Sequence, residues 1–177
     1  MQAPGHEPRG PDVAPAARAT RVNDPVFDLV LGLHVLCAVA GFGALGATGA
    51  YASAARRSPD PSASASLARF FSPGRNWGAR AVLAVPVFGA GLLAIGHDAG
   101  RAYPWIGLAV WFAATGIASA VVWPGERGLQ RLFAEGAAVP EGRIAELRAL
   151  AARVERGAAA TSLCFVLALV VMIAQPG

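Results

Sequence analysis

Lysine is absent from this chain of 177 residues, and all 15 of its basic residues are arginine. Charge of either sign is scarce: Asp, Glu, Lys and Arg make up 15% of the residues, against about 25% in soluble domains. The two cysteines, Cys37 and Cys164, share no C-x-x-C spacing and are expected as small core residues rather than a redox or zinc motif. Neither a glycine-rich phosphate loop nor an H-E-x-x-H pair occurs, so no motif points to an enzyme. Two methionines are few for a copper-handling surface. What remains is apolar: 55% of residues are hydrophobic and the mean hydropathy is +0.47. A water-soluble fold this small would have to expose much of that surface.

The apolar residues gather into four runs, over 26–51, 79–97, 104–123 and 158–174. About 20 helical residues cross a hydrocarbon core ~30 Å thick, so the runs predict an all-α, membrane-embedded four-helix bundle within residues 26–176. The length of the first run, and Arg56 and Arg57 behind it, favour a retained span over a cleaved signal. Tyr103 and Trp105 at the third run's start, Trp123 at its end and Trp77 before the second are placed as headgroup-level anchors. Pro124-Gly125 is expected to stop the third span. The glycines Gly41, Gly43, Gly46 and Gly49 belong on faces where helices touch closely.

The arginines divide by side. Arg56, Arg57, Arg69, Arg75 and Arg80 flank the link between spans one and two; Arg127, Arg131, Arg143, Arg148, Arg153 and Arg156 lie between spans three and four. Only Arg9, Arg18, Arg21 and Arg101 fall on the other side. The positive-inside rule then puts both termini outside the cytoplasm of a multi-pass cell-membrane protein. A pI near 10 invites nucleic acid as a partner, but Glu126, Glu135, Glu141, Glu146 and Glu155 interrupt the arginines and break a phosphate-tracking stripe. No nucleic acid is expected; the partner is the lipid bilayer, with a second copy or another membrane protein as further partners.

Residues 1–25 hold five prolines and read as a disordered tail. Residues 58–66 read as a Ser/Pro/Ala linker, with Leu67, Phe70 and Phe71 lying in the headgroup plane before Ser72-Pro73-Gly74. Leu129, Leu132 and Phe133 are spaced to carry the third helix on to Glu135 as an amphipathic piece. Pro140 starts another, and Ile144, Leu147, Ala151 and Val154 give it one apolar face running into the fourth span. Unbroken, that helix would hold the 34 residues from Glu141 to Ala174, about 51 Å. The pieces are expected to pair as antiparallel amphipathic helices in the cytoplasm, where residues 126–156 would serve a scaffold or accessory subunit as its docking surface.

His34, well inside span one, and His97, ending span two beside Asp98, are the informative residues. Antiparallel neighbours put both toward the extracytoplasmic side. An ionisable residue within a membrane is a functional-site candidate by default. One reading makes His34 and His97 axial ligands of a haem. A second makes His34, Cys37, His97 and Asp98, with Met172, a transient copper or zinc site. The third is structural, with His34 hydrogen-bonded to a backbone carbonyl and His97 at the headgroups.

Leu33-His34-Val35-Leu36 followed by Gly41 and Gly43, Arg80-Ala81-Val82 through Pro86-Val87-Phe88-Gly89, and Val122-Trp123-Pro124 with Glu126-Arg127 carry a likeness. Together they resemble a bacterial family of four-span integral membrane proteins of unknown function, similar to the copper-resistance-D-like group. Haem-binding, membrane-type protoporphyrinogen oxidases have been related to that group, and its first-span histidine maps onto His34 alone. Where the wider group has a Trp-x-Gly step, this chain has Ala40-Gly41-Phe42-Gly43, and span one holds no buried arginine or lysine for haem propionates. The resemblance implies a fold and a membrane location, and brings no activity with it.

Overall fold

The computed structural model describes residues 24–57, 61–72, 77–96, 98–134 and 139–175, with the side chains of 61–65 and 98 excepted. The N-terminal tail through residue 23 lies outside the described residues, as do Arg75 and His97. Among the described residues all regular structure is helical. Four helices are long and apolar enough to cross a membrane: α1 (Pro25–Arg57), α3 (Trp77–Gly96), α4 (Ala102–Ala134) and α5 (Glu141–Ala174). A short α2 (Pro61–Phe70) follows α1. The third and fourth runs thus extend well past their apolar parts, α4 for 33 residues and α5 for 34, and their ends pair as a hairpin.

Large apolar side chains face outward along all four helices, among them Leu36, Val39, Val87, Phe112, Val166 and Ile173. That inverts the soluble pattern and suits lipid as the outer solvent. With lipid outside, burial of apolar area no longer drives the helices together; close backbone packing does. Glycines supply it. A Cβ on Gly49 would sit 2.5 Å from the Cβ of Ala158, bringing α1 against α5. On Gly157 it would meet the Val121 and Val122 methyls at 2.9 Å, and on Gly125 the Val154 methyl at 2.6 Å, joining α4 to α5.

The close-packed core sits at the arginine-rich end. Leu45, Ala52 and Ala55 of α1 meet Val122, Leu129 and Leu132 of α4 and Leu147, Ala151 and Val154 of α5. Ser53 is buried there and donates to Glu155 Oε1 at 3.0 Å, while Arg56 Nε donates to Oε2 at 2.8 Å. Glu155→Ala is expected to cost about 1–2 kcal/mol, mostly by stranding the buried Ser53 hydroxyl, since the arginine is half exposed. Glu155→Gln, which keeps an acceptor for Ser53, should lose less. Unfolding temperatures of the two variants in one detergent check this, and equal losses would count against the hydroxyl as the cause.

Four expectations are corrected. Gly43 is exposed and touches no neighbouring helix, with nothing within 4 Å of an added Cβ, so it leaves the close-packed face that Gly41 and Gly49 hold. The stretch from Pro61 is helical, so the linker ends sooner than its composition implies. Leu67 and Phe71 do not lie among headgroups; both are buried in the core. The extension of α4 provides the reason, because Phe71 stacks on Phe133 with ring centres 6.0 Å apart. Phe70 in turn stacks on Tyr51 at 3.9 Å. Finally, Pro124-Gly125 stops nothing, and the helix runs through it.

The way α4 absorbs Pro124 is instructive. Proline has no N–H, so the Ala120 carbonyl four residues back loses its α-helical donor. The chain widens into a π turn over Ala118–Val122, and Arg153 of α5 donates its guanidinium to Ala120 O at 3.1 Å. The same device appears in α3. Pro86 deprives the Val82 carbonyl, the preceding Trp77–Ala84 winds as a 3-10 helix, and the Trp111 indole of α4 donates to Val82 O at 2.8 Å. Each proline is tolerated because a neighbouring helix brings a replacement donor.

Candidate functional site

His34 lies on α1 against the proline-disturbed stretch of α3. Its Nδ1 is 2.9 Å from the backbone carbonyl oxygen of Val85. A carbonyl only accepts, so Nδ1 carries the proton and donates. The neutral ring is therefore the tautomer whose lone pair sits on Nε2. Gly89, one turn beyond Val85, makes room for the ring: a Cβ there would lie 3.4 Å from His34 Cε1. Among the described residues Nε2 has no hydrogen-bond partner.

The surroundings of His34 differ from the other end of the bundle. None of residues 25–40 of α1 is buried, and none of Val85–Gly96 of α3 is either. Close packing begins about two helical turns along α1 from His34, where Gly41 meets the backbone of Val82. His34 thus stands beyond the tight crossing of α1 and α3, where the helices still touch at Gly89–His34 and Gly91–Val30 but bury no residue fully. The exposed Val35 and Leu36 beside it face outward.

The other sequence candidates are not gathered round it. Cys37 is half-buried on α1, one turn from His34. His97 lies outside the described residues, and of Asp98 only the backbone is described, in the short turn Asp98–Gly100. Met172 packs its methyl on Gly107 of α4. Among the described residues no three His, Cys, Asp or Glu side chains come together in a metal-holding group. The carbonyl bond expected of a structural His34 is present. Trp77 and Trp105 are exposed at helix ends, whereas Trp123 is partly buried within the continuous α4; Arg80 lies over the Trp77 ring and Trp105 donates to Ala99 O.

Sequence reasoning missed the donors Trp111 and Arg153. The signal for them was available: a proline inside an apolar helix announces a deprived carbonyl four residues earlier. Which side chain would reach it depends on packing that no local pattern encodes.

Together these features define a class, a multi-pass helical membrane protein with an oriented histidine beside its least packed half. No family model, no curated protein and no solved structure matches the chain.

Proposed function

We propose that this protein binds haem in the membrane, with Nε2 of His34 as an axial ligand on the extracytoplasmic side and both termini on that side. The observation that carries the reading is the 2.9 Å bond from Nδ1 to Val85 O. Ligating histidines characteristically donate their second ring nitrogen to a carbonyl or carboxylate, which fixes the tautomer and raises the basicity of the ligating one. The bond that makes His34 structural glue is thus the bond that prepares it as a ligand. A haem brings four equatorial nitrogens of its own and asks one axial base of the protein, which His34 supplies alone. No residue of α1 or α3 around it is fully buried, so a flat apolar ring would meet accessible apolar side chains there.

The test is an absorption spectrum of the full chain, expressed with haem supplied and purified in detergent. The wild type should show a Soret band. His34→Asn places an amide N–H where Nδ1 stood, keeping a donor for Val85 O, and loses the imidazole, so it should fold and lose or shift the band. Cys37→Ala should keep it. A colourless wild type overturns the reading, and so does a band unchanged in His34→Asn.

A further inference from the structure

At the opposite end of the bundle, the α4–α5 hairpin holds a groove of about 510 Å³, lined by Pro124, Arg127, Gly128, Arg131, Arg143, Glu146 and Leu150. Three guanidinium groups face one carboxylate. Arg143 and Glu146 offset each other, with Nε to Oε2 at 3.0 Å. Arg127 donates Nε to the Trp123 carbonyl at a long 3.4 Å, which leaves its terminal nitrogens for other work. Arg131 is exposed, with no ion-pair partner among the described residues. The groove therefore carries two arginine charges that the nearby carboxylate does not balance.

Its depth indicates what balances them. Trp123 closes the apolar run of α4, and Arg127 and Arg131 follow by one and two turns, about 6 and 12 Å along the axis. The headgroup layer occupies roughly the first 5–7 Å beyond the hydrocarbon. Side chains on a helix lean toward its N-terminus, which for α4 is toward the bilayer. Both guanidinium groups thus lean back to the level of lipid phosphates. Guanidinium forks suit phosphate oxygens, which accept paired N–H bonds. The groove's floor depends on Gly128, where a Cβ would lie 2.9 Å from a Leu150 methyl. Basic pockets at such membrane-facing positions are natural seats for anionic headgroups.

We infer that this groove binds the phosphate of an anionic lipid headgroup, held by Arg127 and Arg131. The test uses native mass spectrometry of the full chain, released from neutral micelles doped with phosphatidylglycerol or with phosphatidylcholine. The wild type should retain phosphatidylglycerol and not phosphatidylcholine. The double variant Arg127→Gln/Arg131→Gln should lower that retention about tenfold or more, from the loss of two charge-assisted contacts. The charge-matched Arg148→Gln/Arg156→Gln should leave it unchanged. Both pairs are exposed, and a matching gel-filtration profile for each variant excludes misfolding as the cause. Equal retention in the groove variant and the wild type overturns the inference, as does equal loss in the two double variants. Inorganic phosphate at millimolar levels should not displace the lipid; displacement would make the ligand a free phosphate and overturn the lipid source.

Discussion

Gly41→Leu should yield a protein that aggregates on extraction, whereas Gly43→Leu, two residues along, should behave as wild type. At Gly41 an added Cβ would overlap the backbone nitrogen of Val82 and lie 2.8 Å from its Cα. The obstacle is main chain, so no rotamer change relieves it; α1 and α3 would have to separate. Separation also moves Val85 away from His34, breaking the 2.9 Å bond that joins the same two helices. Overpacking a yielding core costs about 1–3 kcal/mol, and here the loss should exceed that range because the obstacle is main chain and a hydrogen bond goes with it. Gly43 meets nothing within 4 Å, so its added side chain enters lipid. Monodispersity and unfolding temperature in one detergent compare the two, and similar behaviour would show that the crossing tolerates a side chain.

The second large effect is a coupling. Trp111→Phe should destabilise the protein by about 1–3 kcal/mol, because Val82 O loses its indole donor in surroundings with no water to replace it. Pro86→Ala restores an N–H four residues after Val82 and lets α3 wind as an ordinary helix there. In that background Trp111→Phe should cost clearly less. A double-mutant cycle reads the difference directly. If the tryptophan is worth the same with and without the proline, then its ring packing matters and the replacement of a proline-deprived bond does not.

The spans were easy to read from the sequence because lipid asks only for length and apolarity. The runs at 26–51, 79–97, 104–123 and 158–174 each lie within a long helix of the structure, apart from His97, which lies outside the described residues. The α4–α5 hairpin was legible too, since Leu129, Leu132 and Phe133 repeat at helical spacing and all three are buried. Leu67 and Phe71 were misplaced for a complementary reason. An apolar residue near a membrane has two places to go, lipid or protein, and local sequence does not say which. The tail of α4 offered Phe133, and protein won. Pro124 misled because its usual effect assumes that nothing replaces the lost bond, and Arg153 does. His34 was legible as a residue of interest from its type and depth alone. Its bond to Val85 belongs to the tertiary fold, joining residues 51 positions apart.

The arginine content acquires a partial structural account. Arg153 reaches a helix carbonyl and Arg56 grips Glu155 through two of its nitrogens. A planar fork with several donors serves both tasks better than an ammonium point charge.

The winding of α3 also settles a question of reach. With 20 residues it is the shortest of the four spanning helices, and as a pure α-helix it would measure only about 30 Å, leaving no allowance for tilt. A 3-10 helix rises about 2.0 Å per residue instead of about 1.5 Å. Winding Trp77–Ala84 that way stretches the whole element to about 34 Å. The tightened turns ahead of Pro86 thus lengthen a short segment by about 4 Å, giving it room to tilt without adding a residue.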